Sequence, residues 1–338
     1  MRKQHPDENS PRENGIGEPS AAAPTDSELS THLRTSLERL VKTLQEDGSR
    51  GILSTGLGLL DGLTNGIEKG NLYVIGAGDS LARTSFLLRV VAEVCLAQRI
   101  PTLLFSGDLS GSQVTDRLIY GRNHLPSPSN LNAPSYRKKG SLMRIQKHTQ
   151  EISESGLVIH DSRDLTIEAI EARAHEESAK SGIGFIVIDH VHLIRSESTP
   201  PGTSRKREMS GVIRRIKNLA RELELPILVG AHLKRQARRR VPRSGDIRES
   251  ADIEYEADFI GLLHRQEQFP YVDFYDLLVA KNNSGMLGSI RLYLFRECDW
   301  FEQDPPVSDE GEDMTPDDYW GLHDTSRCSS PGRDSSLS

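Results

Sequence analysis

Apolar positions along this chain fall into short solid blocks separated by longer stretches of helical period. The blocks are Leu72–Ile75, Thr102–Ser106, Leu157–His160, Phe185–Asp189 and Ile227–Ala231. Between them, Thr84 to about Leu96, Gln113–Tyr120, Leu142–Ile152, Ile167–Ser181 and Met209–Leu223 alternate apolar and polar residues as amphipathic helices do. Solid blocks suit strands buried on both faces, and the amphipathic stretches suit helices that cover them. The alternation predicts an α/β fold, a mostly parallel sheet with helices on both faces. Three further β runs follow: Phe259–His264, Tyr275–Lys281 and Ser289–Phe295. The last two flank Asn282-Asn283-Ser284-Gly285, a turn sequence, which predicts a hairpin on the sheet's edge.

Before the first strand, Leu29, Leu33, Leu37, Leu40 and Leu44 share one face and predict a helix over residues 27–48, ended by Gly48. That stripe needs a surface, either its own core or a neighbouring subunit. Residues 51–71 are spaced with glycines and lead into the first strand, so the ordered domain is expected over 51–303. Residues 1–26 are rich in Pro, Gly, Ser, Glu and Asn, and 304–338 are acidic and then Ser-rich; both are expected to be disordered. A hydrophobic fraction of 36% and a mean hydropathy of -0.49, low for a fully globular chain, agree with such tails. No apolar run approaches the roughly 20 residues that span a bilayer, and the N-terminus has no apolar signal region. The expected setting is the cytoplasm, with no membrane partner and with Cys95, Cys298 and Cys328 as reduced thiols.

Leu72 to Phe86 reads as a buried strand, a small-residue turn and the start of a helix. This is the layout of a phosphate-binding loop, in which backbone N–H groups and a helix N-terminus wrap nucleotide phosphates. Its candidate contacts are Gly78, Ser80, Ala82, Arg83, Thr84 and Ser85. The usual pattern G-x-x-x-x-G-K-[ST] is altered: Ala77 and Ala82 stand for the glycines, Arg83 stands for the lysine, and Thr84 is kept. Phe185-Ile186-Val187-Ile188-Asp189 is an apolar strand ending in an acid, the placement of a carboxylate that would hold Mg²⁺ together with Thr84. His190 and His192 lie beside it, but no Cys or further His stands at metal spacing, so they do not read as a zinc site. The net charge of -7 argues against a wholly basic nucleic-acid binder. It hides a basic segment with Lys234, Arg235, Arg238, Arg239, Arg240, Arg243 and Arg248, either a phosphate footprint or a solvated loop. No aromatic residues are interleaved there, so base stacking is not indicated. A second basic run, from Arg205 to Lys217, lies before and on an amphipathic helix and is expected at the surface.

With its motifs in this order the chain resembles the C-terminal motor domain of the DnaB-type replicative DNA helicases, within the RecA-like ATPases. The resemblance covers about Gly51 to Phe301. It rests on Ser54-Thr55-Gly56, Leu60-Asp61-Gly62-Leu63-Thr64 with Gly66, Leu104-Phe105-Ser106, the stretch Ile188 to Ile194, and Asp246-Ile247-Arg248-Glu249-Ser250 followed by Ile253-Glu254 and Ala257-Asp258. It implies a RecA-like sheet, ATP and Mg²⁺ as cofactors, and single-stranded DNA as partner. It also implies a homo-hexameric ring, or docking on a related helicase, through the linker helix over 27–48.

Position by position, the resemblance puts Arg83 where a lysine neutralises phosphate charge and Asp108 where a glutamate aligns the attacking water. It puts His232 where a sensor glutamine follows the fifth strand, and Asn283 where an arginine finger reaches the next subunit, with Lys281 retained two residues before. Arg238, Arg239, Arg240 and Arg243 fall in central-channel loops, and Arg248 and Glu249, with Ala251 in place of a glycine, in a strand-tracking loop. The replacements have physical costs. A planar guanidinium does not replace a compact ammonium in a tight loop, the Cβ of Ala82 intrudes where backbone must approach phosphate, and Asp79 adds an anion beside the expected phosphates. Asp108 is one methylene short, and roughly 1 Å of misplacement can cost about 10²-fold; an arginine finger is worth about 10³ to 10⁵ in rate. The expected function is a helicase domain that binds ATP–Mg²⁺ and single-stranded DNA with weakened hydrolysis. The alternative is a catalytically inactive homologue that binds DNA or a partner helicase and regulates it; a recombinase-like filament ATPase is less supported by the Asp246–Ser250 stretch.

Overall fold

The structure, a computed structural model, describes residues 52–125, 141–269 and 272–303. The expected helix over 27–48 and the tails 1–26 and 304–338 lie outside them. In chain order the elements are α1 (Gly58–Thr64), β1 (Leu72–Ala77), α2 (Ser80–Val91), β2 (Thr102–Ser106), α3 (Gly111–Arg122), α4 (Ser141–Ser153), β3 (Leu157–Asp161) and α5 (Ile167–Ser181). There follow β4 (Phe185–Asp189), α6 (Arg205–Glu222), β5 (Ile227–His232), α7 (Ser250–Glu256), β6 (Phe259–Gln268), β7 (Val272–Asn282), β8 (Gly288–Phe295) and β9 (Trp300–Glu302).

The strands form one sheet in the order β3-β2-β4-β5-β1-β6-β7-β8-β9. From β3 to β6 every pairing is parallel, and from β6 to β9 every pairing is antiparallel. Alternate side chains of each parallel strand enter opposite cores, as the period of a strand requires. Tyr73, Ile75, Phe185 and Val187 pack with Phe86, Leu87, Val90, Val114 and Leu118 of α2 and α3. Leu72, Val74, Ile186 and Ile188 pack with Ile167 and Ile170 of α5 and Met209, Val212, Ile213 and Ile216 of α6. The sheet is therefore covered on both faces, and β4 is buried along its whole length.

Strands that are consecutive in sequence are separated in space here: β1 and β2 are split by β5 and β4. Where strand order reverses in this way, the carboxyl ends of the strands open a crevice. The register sets Ala77 beside His232 and Ser106 beside Asp189, so the ends of β1, β2, β4 and β5 meet at one place.

Several details differ from the sequence-based expectation. Helix α2 begins at Ser80 rather than near Thr84, because Asp79 caps it: its carboxylate accepts the Leu81 N–H at 3.0 Å. Helix α1 lies in the glycine-spaced stretch, where Asp61 accepts Ser54 Oγ at 2.6 Å and Thr55 Oγ1 at 2.7 Å and so folds residues 54–61 into a closed turn. The hairpin β7–β8 is present, but β9 pairs outside it and becomes the edge. Lys217, expected at the surface, is buried; its Nζ donates to the Gly70 carbonyl at 2.9 Å and pairs with Asp258. The helical period, set by its apolar neighbours, turns this position inward, and the charge is kept there by partners from other elements.

Candidate functional site

The crevice is built around Arg83. Its side chain, on the first turns of α2, is fully buried, and it reaches back under β5 toward the strand ends. Gly230 makes this route possible: a Cβ there would lie 2.7 Å from Arg83 Cδ and 3.0 Å from Leu87 Cδ1. A glycine inside a strand often marks such a close approach. The guanidinium then donates from Nε to Asp189 Oδ1 at 2.7 Å and from Nη2 to Asp108 Oδ2 at 3.2 Å, and its Nη1 lies 3.1 Å from the ring nitrogens of His232.

Asp189 is buried, and its other oxygen accepts Thr84 Oγ1 at 2.5 Å. A buried carboxylate is tolerated when charge and hydrogen bonds are both satisfied, and here both of its oxygens have partners. His232 stands between Arg83 and His190, with the two imidazole Nε2 atoms 3.0 Å apart and the ring centroids at 4.2 Å. His192 Nε2 lies 3.2 Å from the Arg248 carbonyl oxygen, which makes the imidazole N–H the donor there. Burial, reinforced by the charge of Arg83, pushes His190 down to about 2. Burial likewise pushes His192 down to about 4, against the carbonyl of Arg248, which favours the charged ring. Both rings are neutral at physiological pH. The Asp189–His190 peptide is cis.

The loop itself is short. Strand β1 ends at Ala77 and α2 starts at Ser80, so Gly78 and Asp79 alone connect them. Ser80, Ala82 and Ser85 lie on the helix. Ser85 is buried, and its Oγ has no hydrogen-bond partner among the described residues. The Asp79 carboxylate caps the helix N-terminus, the position at which a phosphate-binding loop receives an anion. A cleft of about 330 Å³ opens above it, lined by Gly78, Asp79, Leu233, Leu263, Arg265 and Tyr275 among others. Asp189 and Thr84 are not among its walls.

These residues do not fit the Mg²⁺–nucleotide that the loop and the strand-end acid imply. A divalent ion needs oxygen ligands with free lone pairs, whereas Asp189 Oδ1 already faces a guanidinium nitrogen at 2.7 Å. A cation beside that guanidinium would meet like charge in a buried site. Among the described residues, no group of three or more His, Cys, Asp or Glu is arranged to hold a metal ion.

The remaining sequence-based candidates fall in two places. Lys281 donates from Nζ to the carbonyls of Glu254 at 2.8 Å and Tyr255 at 3.2 Å, holding the last turn of α7, and Asn283 bonds to Asp258. The basic segment forms a loop after β5, closed at its base by the Leu233–Ile247 bridge. Arg238 and Arg239 lie on its 3-10 turn Arg235–Arg239. Arg240 forks onto Asp246, both contacts at 2.8 Å, and holds that carboxyl below the usual carboxylate range. Arg243 and Arg248 are exposed. Glu249 is half-buried in the left-handed region (φ 56) at the start of α7 and lies 3.9 Å from Arg205 Nε. The structure thus gathers Arg83, Thr84, Asp108, Asp189 and His232 at one site and keeps Lys281 apart from it, while Arg248 borders the site through its backbone, donating its N–H to the His232 carbonyl at 2.9 Å. Gly230 and the role of His190 were missed from sequence; a glycine in the apolar strand Ile227–His232 was the available signal.

Comparison with known proteins places this geometry in context. The family model "DnaB-like helicase C terminal domain" matches residues 51–303. A probable replicative DNA helicase of Trieres chinensis is 31% identical over 251 residues, covering 71% of this chain and 54% of that protein. The replicative DNA helicase DnaB of Geobacillus stearothermophilus is 28% identical over 267 residues, 75% of this chain and 57% of that protein. The chain therefore spans about half the length of the curated relatives it matches. In structure it is similar to a solved ATPase domain, with a TM-score of 0.69 at 23% identity over 82% of this chain and 98% of that one. A DnaB-like replicative helicase, described with its interactions with primase, gives 0.67 at 24% identity over 78% of this chain and 65% of that one. These two likenesses show a RecA-like ATPase fold.

Proposed function

Since the chain belongs to the DnaB-like helicase C-terminal domain family, we propose that it is a non-motor homologue of the replicative helicases. It binds single-stranded DNA, or docks on a related helicase ring through the segment 27–48, and regulates that helicase without hydrolysing ATP itself. The observation that carries this reading is the buried guanidinium of Arg83 on Asp189 and Asp108, where a working site would leave both carboxylates to the metal and the attacking water. The connection of Gly78 and Asp79 supports it too, since it leaves two residues to wrap phosphates and the Asp79 carboxylate already caps the first turn of α2. For DNA, the support is the exposed pair Arg243 and Arg248 on the loop after β5, with Arg238 and Arg239 on the same loop. Lys281 and Asn283, turned to α7 and Asp258 of their own chain, act here in holding the domain rather than in reaching a neighbouring site. No helix among the described residues is long and apolar enough to cross a membrane, and a regulator of replication would work in the cytoplasm beside the replicative helicase.

Binding of a labelled single-stranded oligonucleotide, measured with and without ATP and Mg²⁺, tests the reading. The expected affinity is the same in both and falls steeply with salt, as phosphate contacts dictate. Affinity gained only with ATP and Mg²⁺, or no DNA binding together with no association with a replicative helicase, would sink it.

A further inference from the structure

We propose that Arg83 and Asp79 are resident substitutes for the metal ion and the phosphate of this site, so that the chain supplies from its own side chains the cross-link that a nucleotide would otherwise make. The inference deepens the proposed function and rests on that reading of the crevice.

The cation comes first. One planar guanidinium, with its donors in a fixed fork, spans the ends of three strands: Asp189 at the end of β4, Asp108 just after β2, and His232 at the end of β5. Its own helix follows β1, so the four strand ends of the crevice are tied through one residue. A divalent ion would draw the same carboxylate and the Thr84 hydroxyl; here Thr84 is bonded to Asp189 directly. The route for the side chain is built in, since Gly230 leaves the space that Arg83 Cδ and Cγ fill.

The anion is supplied one turn earlier. Asp79 presents its carboxylate to the N-terminus of α2, whose unpaired N–H groups and partial positive charge otherwise favour a phosphate. Arg265 lies 3.7 Å from the other oxygen of the same carboxylate. With charge of each sign already in place, the domain needs neither Mg²⁺ nor nucleotide to hold its strand ends together: Mg²⁺ at Asp189 would have to displace Arg83, and a phosphate at the N-terminus of α2 would have to displace the Asp79 carboxylate. The consequence is a platform fixed in one state, in place of a motor that alternates between loaded and empty.

Thermal unfolding of the full chain tests this, with Mg²⁺ alone, with ATP and a chelator, and with ATP and Mg²⁺ as probes. The wild-type midpoint is expected to stay unchanged in all three. In Arg83→Lys, whose single ammonium cannot span the three partners, the midpoint is expected to fall, and Mg²⁺ is expected to restore part of the loss by entering at the freed carboxylates. In Asp79→Asn, which takes the resident negative charge from the N-terminus of α2, ATP with a chelator is expected to raise the midpoint, while Mg²⁺ alone leaves it flat because Arg83 still holds Asp189. A flat midpoint with ATP and a chelator would remove Asp79 from the proposal. A wild-type midpoint that climbs with ATP and Mg²⁺, on the order of 5–10 °C at about a hundredfold excess over Kd, overturns the inference even if Arg83→Lys does not fold. An Arg83→Lys protein as stable as wild type overturns it equally. The two readings fail separately: stabilisation by ATP–Mg²⁺ without turnover removes the resident substitutes and leaves the non-motor homologue. A flat midpoint in a chain that binds neither DNA nor helicase does the reverse.

Discussion

Removing the guanidinium of Arg83 strands Asp189, a carboxylate 4% exposed that keeps only the Thr84 hydroxyl as partner. Breaking one member of a buried pair typically costs about 3–5 kcal/mol, far more than the pair itself is worth. Arg83→Ala is therefore expected to lose stability of that order in urea denaturation, and Asp189→Asn added to it is expected to recover part, giving a non-additive cycle. Additive losses would show that the two residues do not act as one unit. The imidazoles beside them predict a pH effect with a definite sign. His190 and His192 titrate in the folded protein at about 2 and about 4, below their ordinary 6.5. The unfolded chain thus binds protons first as pH falls. Stability is complete above about pH 6.5 and declines below it, by about 1.4 kcal/mol per group for each pH unit until the folded value is reached. Between pH 7.5 and 5.5 these two rings are expected to contribute about 2–3 kcal/mol to the fall in unfolding free energy read from urea titrations, and His190→Gln is expected to remove about half of that contribution.

Among the elements, β5 and α2 are fitted to each other at Gly230. A methyl there would sit 2.7 Å from Arg83 Cδ, and overpacking of a filled core costs about 1–3 kcal/mol. Gly230→Ala is expected to lose that much by denaturation, while Gly211→Ala, on α6 with open space around it, is expected to lose none. Equal behaviour of the two would contradict the fitted crossing. The strand and helix order was legible in sequence because parallel strands buried on both faces carry solid apolar blocks, as in Phe185–Asp189 and Thr102–Ser106. The boundary at Ser80 was not, because it depends on whether Asp79 turns to the helix or to a ligand, and spacing cannot decide that. Arg83 itself was legible as a residue and illegible as a contact. Its charge suggested phosphate, whereas the direction of the side chain depends on a missing Cβ on a strand far along the chain. Lys217 was read as surface for the same kind of reason: the Asp258 that receives it arrives from another element.

For the whole molecule the division is between a closed crevice and an open basic loop. The net charge of -7 makes local arginines, not the overall field, the source of any attraction to DNA. Arg243→Ala and Arg248→Ala are each expected to weaken single-stranded DNA binding across sequences and to lower the salt slope by about one phosphate contact. Arg240→Ala is expected to act through stability instead, since its fork is engaged by Asp246. Unchanged affinity in the first two variants would leave the loop as a solvated turn. The most direct test of a crevice closed to nucleotide is ATP hydrolysis by the full chain, with Mg²⁺ present, in the absence and presence of single-stranded DNA. No turnover above background is expected in either condition; DNA-stimulated hydrolysis that disappears in Asp189→Asn would contradict it.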